Sequence, residues 1–156
     1  MSGTEGAHTT TTVIATWRGG RRYDVARPGG PATVIDASGE AGTGPVDTLL
    51  GALAACSSID VEDYLVKRRT PARSLVVTVT AERRAAVPRR VMSAHLAFAI
   101  AGEGIEPPHA ARAVSLAVER YCSVAASLAS DLVITHAVTL NDTPLAAAPA
   151  PEGDGA

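Results

Sequence analysis

Between Leu49 and Cys56 the chain reads Leu-Leu-Gly-Ala-Leu-Ala-Ala-Cys, apolar at every position. Pro45, just upstream, suits the first turn of a helix, where its fixed φ and missing amide hydrogen cost nothing. Asp47 places a carboxylate near the positive end of the helix dipole. Thr70-Pro71 supplies the stop, and Lys67-Arg68-Arg69 places cations at the negative end. The pattern predicts a helix from Pro45 to about Arg69, roughly 35 Å long at 1.5 Å per residue. Its first half, apolar on all faces, reads as buried, and its second half turns amphipathic. The remainder of the chain must therefore supply its walls.

The flanking segments read as those walls. Thr11 to Trp17 is short and β-branched, Arg18-Gly19-Gly20-Arg21 supplies a glycine turn, and Arg22 to Ala26 returns as a partner strand. Ala32 to Asp36 adds a short third strand after Pro28-Gly29-Gly30-Pro31, and Ser38 to Gly44 is a loop. Downstream of the helix, Leu75, Val77 and Val79 alternate with Thr78, Thr80 and Glu82, and Leu96, Phe98 and Ile100 alternate within Met92–Ile100. These runs predict an antiparallel pair with one solvated face. Pro107-Pro108 opens a second long helix, Pro108 to Ser130, with the stripe Val114, Val118, Tyr121, Ala125 and Leu128. Val133 to Leu140 is a last strand. The order β-β-(β)-α-β-β-α-β is α+β, two long helices against antiparallel sheet.

At 156 residues this is one domain. Residues 1–10 lack apolar periodicity and residues 143–156 are rich in Ala and Pro, so both ends read as disordered tails around a domain at 11–142. A net charge of −2 gives no electrostatic reason to expect nucleic acid or an anionic membrane as partner. No apolar run reaches the ~18–20 residues of a membrane span. The polar N-terminus lacks the apolar core of a secretory signal, leaving the cytoplasm as the expected location. Aromatic residues are only 3% of the chain, so the core is filled by small aliphatic side chains and gains from being shared with a second copy.

The two cysteines, Cys56 and Cys122, stand 66 positions apart, each near the middle of a predicted helix. Either both are buried small hydrophobes or they form a redox pair across a helix crossing. The four scattered histidines do not combine with them in zinc spacing. A mid-helix thiol gains nothing from the helix N-terminus, so activation needs a cation from elsewhere. Thirteen arginines against one lysine make guanidinium the obvious source, with Arg18, Arg21 and Arg22 of the first hairpin as candidates. Each also fits a solvated turn charge, and Asp47 also fits a plain helix-end charge.

Gly44-Pro45-Val46-Asp47-Thr48-Leu49-Leu50-Gly51-Ala52-Leu53-Ala54-Ala55-Cys56-Ser57-Ser58-Ile59-Asp60-Val61 resembles the central-helix signature of the OsmC/Ohr family. Glu119-Arg120-Tyr121-Cys122-Ser123-Val124 resembles its second-cysteine motif, and Ala81–Arg84 with Val87–Arg90 is similar to the YhfA-type branch of OsmC-like proteins. The resemblance implies antiparallel sheets wrapped around two central helices in an intertwined homodimer. It implies a thiol peroxidase for organic hydroperoxides in oxidative-stress defence, with Cys56 as peroxidatic and Cys122 as resolving cysteine. No metal, flavin or haem is implied; an external dithiol, dihydrolipoamide in some relatives, restores the thiols. Peroxidase branches use an Arg of the N-terminal hairpin, matched loosely by Arg18, and a Glu just after the helix-opening Pro. Here that Glu position holds Val46, with the acid at Asp47. This departure motivates an alternative, a redox-responsive or small-molecule-binding member with little turnover. A Cys/His hydrolase, with His95 or His136 as base, is the third reading.

Overall fold

The computed structural model describes residues 8–147, so the first seven residues and residues 148–156 of the expected tails lie outside the described residues. The chain divides into two units, residues 1–49 and 50–156. In the first, β1 (Ile14–Trp17), β2 (Arg22–Ala26) and β3 (Thr33–Asp36) form an antiparallel meander. The turn between β1 and β2 is built on Gly19 and Gly20, whose φ values of 97° and 57° exclude most side chains. Across it, Trp17 pairs with Tyr23. Beyond β3, the Asp36 carboxylate accepts the Ser38 N–H at 2.9 Å, the Ser38 hydroxyl at 2.5 Å and the Ala41 N–H at 3.1 Å, which shapes the loop.

Helix α1 runs from Pro45 to Lys67, so its start and length follow the proline and charge signals. Its first half is not hidden on every side as expected, since Leu49, Ala52 and Ala55 are exposed, whereas the second half is amphipathic as expected. Leu53, Ser57, Val61 and Leu65, four residues apart, are buried on one face, whereas Leu49, Ile59 and Val66 are exposed. The buried Ser57 hydroxyl satisfies itself on the Leu53 carbonyl at 2.7 Å.

In the second unit, β4 (Ser74–Arg83) and β5 (Val91–Ala101) pair antiparallel as expected, and β5 alternates buried and exposed positions along most of its length. Leu96, Phe98 and Ile100 on its inner side join Leu53, Val61 and Leu65 of α1 in one core. The sheet order is β4-β5-β6-β7, with β6 at Val133–Leu140 and β7 at Thr143–Pro144. Strand β6 lies parallel to β5, which corrects the all-antiparallel expectation. The physical cause is the helical crossover between them, which returns the chain to the start of β5 before β6 begins. Arg90 closes a two-pronged ion pair on Asp131 beside the strand starts. Thr143 and Pro144, assigned by composition to the tail, pair with β6, and the Leu145 N–H reaches the Val138 carbonyl at 2.9 Å.

The expected second long helix is a further correction. Helix α2 covers Pro107–Leu116, a π-helical turn follows at Ala117–Tyr121, the chain breaks at Cys122, and a short α3 spans Ser123–Ser127. The Cys122 N–H bonds the Ala117 carbonyl at 2.9 Å, a five-residue step that inserts one residue into the helical count.

Candidate functional site

The break at Cys122 sets the geometry of the thiols. With φ −64° and ψ 106° the residue leaves the helical region and caps α3, its Sγ accepting the Ala125 N–H at 3.4 Å. Sulfur here occupies the place usually held by a Ser, Thr or Asp oxygen. Cys122 is buried in the core, at 2% exposure, and Cys56 packs half-buried against that core from the middle of α1. Both are free thiols. Burial pushes the Cys122 thiol above its ordinary range; the Ala125 N–H and then the Val124 N–H act in the opposite direction, and the adjacent Cys56 side chain raises it further. Burial wins because a thiolate there would lose its hydration for weak backbone hydrogen bonds. Cys122 therefore holds its proton more tightly than an exposed thiol would. Two thiols remote in sequence and adjacent in space can form a disulfide, or capture an oxidised sulfur on the partner.

The remaining sequence candidates lie in the first unit. Arg18 donates from Nε to Asp24 Oδ2 at 2.6 Å within the hairpin and is largely exposed. Arg22 is 3.8 Å from the buried Asp36 carboxylate. Asp47 sits in the first turn of α1 and folds back on Gly44, where an added Cβ would come within 3.0 Å of its Oδ2. Thus the fold brings Cys56 and Cys122 together, while the described ion-pair partners of Arg18 and Arg22 are carboxylates of their own unit.

The histidines have other partners. His95 Nδ1 meets Thr135 Oγ1 at 2.8 Å, and His136 Nε2 lies 3.3 Å from Glu119 Oε1. Among the described residues no histidine is hydrogen-bonded to a cysteine, which is the contact a Cys/His hydrolase would need. The arrangement around Glu119 was not anticipated. It lies in the π turn, three residues before Cys122, and also accepts the Ser115 hydroxyl on Oε2 at 3.2 Å. Helical spacing links Ser115 to Glu119 in the sequence, but nothing there links either to His136. No three His, Cys, Asp or Glu side chains among the described residues gather as a metal site.

The comparisons with known proteins fall on the same segments. A sequence model of the OsmC-like protein family matches residues 37–137, which contain both cysteines. The chain belongs to the OsmC family. Protein YhfA of Escherichia coli K12 is 38% identical over 99 residues, covering 64% of this chain and 74% of YhfA. An OsmC-like protein from Mycoplasma pneumoniae superposes with a TM-score of 0.73 at 20% identity, over 86% of this chain and 99% of that one. The organic hydroperoxide resistance protein OhrB of Bacillus subtilis superposes with a TM-score of 0.57 at 17% identity, over 84% and 98%. These two structures show that this OsmC chain shares their fold. No helix among its described residues is long and apolar enough to cross a membrane.

Proposed function

We propose that this OsmC-family chain is a dithiol hydroperoxide reductase acting in peroxide defence. The observation that carries the reading is that Cys56 and Cys122 are free thiols at one core, with the Cys56 side chain near enough to raise the Cys122 thiol. The Cys56 thiolate attacks the terminal oxygen of an organic hydroperoxide; the O–O bond breaks, an alcohol leaves after protonation, and Cys56 becomes a sulfenic acid. The Cys122 sulfur then attacks the Cys56 sulfur, forming the disulfide and releasing water. An external dithiol such as dihydrolipoamide returns both thiols and leaves as its own disulfide. No bound cofactor enters the cycle, and the reducing cytoplasm is the compartment that sustains it. The membership of OhrB, a hydroperoxide resistance protein by name, in the same fold supports the reaction class.

Within this reading Arg18 matches by sequence the Arg of peroxidase relatives, and Asp47, one position on, their Glu. The active form is a homodimer. Its support is the apolar surface that each unit leaves exposed: Ile14 and Trp17 in the first, Ile59, Val66 and Val76 in the second. Val46, where peroxidase relatives carry Glu, favours a second reading, a redox-responsive or small-molecule-binding protein with slow turnover.

Stopped-flow oxidation by cumene hydroperoxide separates the two. Peroxidase function requires Cys56 in the wild-type protein to react far faster than a free thiol, and Cys56→Ser to abolish the reaction. A rate equal to that of a free thiol refutes it in favour of binding.

A further inference from the structure

Strand β6 breaks its own pattern at one inward position. Its inner residues lie in register beside those of β5: Ile134 by Ala94, His136 by Leu96, Val138 by Phe98 and Leu140 by Ile100. All of these except His136 are apolar and either belong to the core or pack against it. His136 puts an imidazole where the alternation calls for an aliphatic side chain, and that side chain is only 18% exposed. The ring gives up hydration there that an apolar residue would not have to lose. Local rules are broken in this way chiefly where function requires it.

Its partner sits at the centre of a second irregularity. Glu119 is the middle residue of the π turn Ala117–Tyr121, and such turns are rare insertions found frequently at functional sites. An ionised carboxylate only accepts hydrogen bonds, so His136 Nε2 carries the hydrogen that it shares with Glu119 Oε1 at 3.3 Å. The Ser115 hydroxyl donates to Oε2 at 3.2 Å, and Ser115 is a buried residue of α2. One side chain thus ties the turn both to the helix before it and to β6. Three residues on, Cys122 closes the turn through its N–H on the Ala117 carbonyl and is buried in the core.

We propose that Glu119 is a positioning residue: held by His136 and Ser115, it keeps the π turn from relaxing to an α-helical one, and so keeps Cys122 buried in the core against which Cys56 packs. Relaxation would turn the chain after it by about 100° around the axis, bringing Tyr121 in and Cys122 out. That Cys122 resolves an oxidised Cys56 rests on the redox reading above; its burial by Glu119 does not.

Thiol accessibility tests this without any turnover. In a Cys56→Ser background Cys122 is the one remaining thiol. Its sulfur adds to the double bond of N-ethylmaleimide, the displaced proton ending on the neighbouring carbon, and the rate is divided by that of a free thiol. Glu119→Ala should raise this ratio by about tenfold or more. Glu119→Gln keeps the shape and one acceptor oxygen, and should restore most of the protection. His136→Leu returns the strand to its apolar pattern, so urea unfolding should show stability equal to or above that of the parent while the labelling ratio rises severalfold. This variant decides the matter even where Glu119→Ala fails to fold. An unchanged ratio in His136→Leu overturns the proposal, as do ratios that follow global stability across the variants rather than the Glu119 contacts. In the two-cysteine protein Glu119→Ala should slow the disulfide step relative to the first oxidation of Cys56. A chain that consumes no hydroperoxide yet shows the labelling changes refutes the reaction and leaves the positioning role standing.

Discussion

Replacing Cys122 with alanine should flatten the alkaline limb of the stability profile. In the folded protein burial, followed by the neighbouring Cys56 side chain, holds the Cys122 thiol above its ordinary range, against the pull of the Ala125 and Val124 N–H groups. An unfolded cysteine titrates at about pH 8.5. Below that pH the group is protonated in both states and adds no pH dependence. Above it the unfolded chain releases the proton first and binds fewer protons than the folded chain, so stability falls as pH rises through the folded value. For one proton the slope approaches about 1.4 kcal/mol per pH unit, large against a total of roughly 5–15 kcal/mol. The alanine variant loses this slope and also a helix cap, a change of about 0.5–2 kcal/mol with no pH dependence of its own. Urea unfolding of both proteins in a phosphine reductant, from about pH 7 to about pH 10, separates these effects. The difference between the profiles cancels the tyrosines and Lys67, which both proteins share. The two should run offset at neutral pH and converge in alkali. Profiles that stay parallel would mean that the buried thiol does not hold its proton as described.

Two further outcomes follow from the first unit and from the exposed apolar surfaces. The Ser38 hydroxyl and N–H, then the Ala41 N–H and the Arg22 charge, hold the Asp36 carboxyl below its usual range despite its burial. The stability it contributes is present above the unfolded value and lost as pH falls through the folded one, so Asp36→Asn should remove part of the acid sensitivity of the first unit, read by the fluorescence of Trp17 in β1. An unchanged acid transition would refute this. Light scattering of the native protein should give about twice the 15.9 kDa of the chain, and a monomer at micromolar concentration would remove the shared-core argument.

Much of this architecture is legible because its signals are local. Pro45 and Asp47 mark the start of α1, and the alternation of Leu96, Phe98 and Ile100 marks the inner face of β5, whatever packs against them. The direction of β6 is not local: it depends on how far the crossover carries the chain back, and Val133 to Leu140 reads the same in either direction. The burial of α1 fails for a related reason, since apolar residues on every face show that cover is needed and do not say whether the same chain supplies it. At the candidate site the sequence showed two thiols in helices, but their meeting depends on a break that the helical pattern conceals. In an unbroken helix from Val114 through Val118, Tyr121 would fall in the buried stripe and Cys122 at its edge. The structure reverses them, with Tyr121 exposed and Cys122 buried. The π turn explains the exchange: one inserted residue moves everything after it by about 100° around the axis, which turns Tyr121 out and Cys122 in. The irregularity that defeats the periodic reading is therefore the feature that turns the second sulfur into the core against which Cys56 packs. It also frees the chain to end the helix at Cys122, where a backbone N–H of α3 is available to the sulfur.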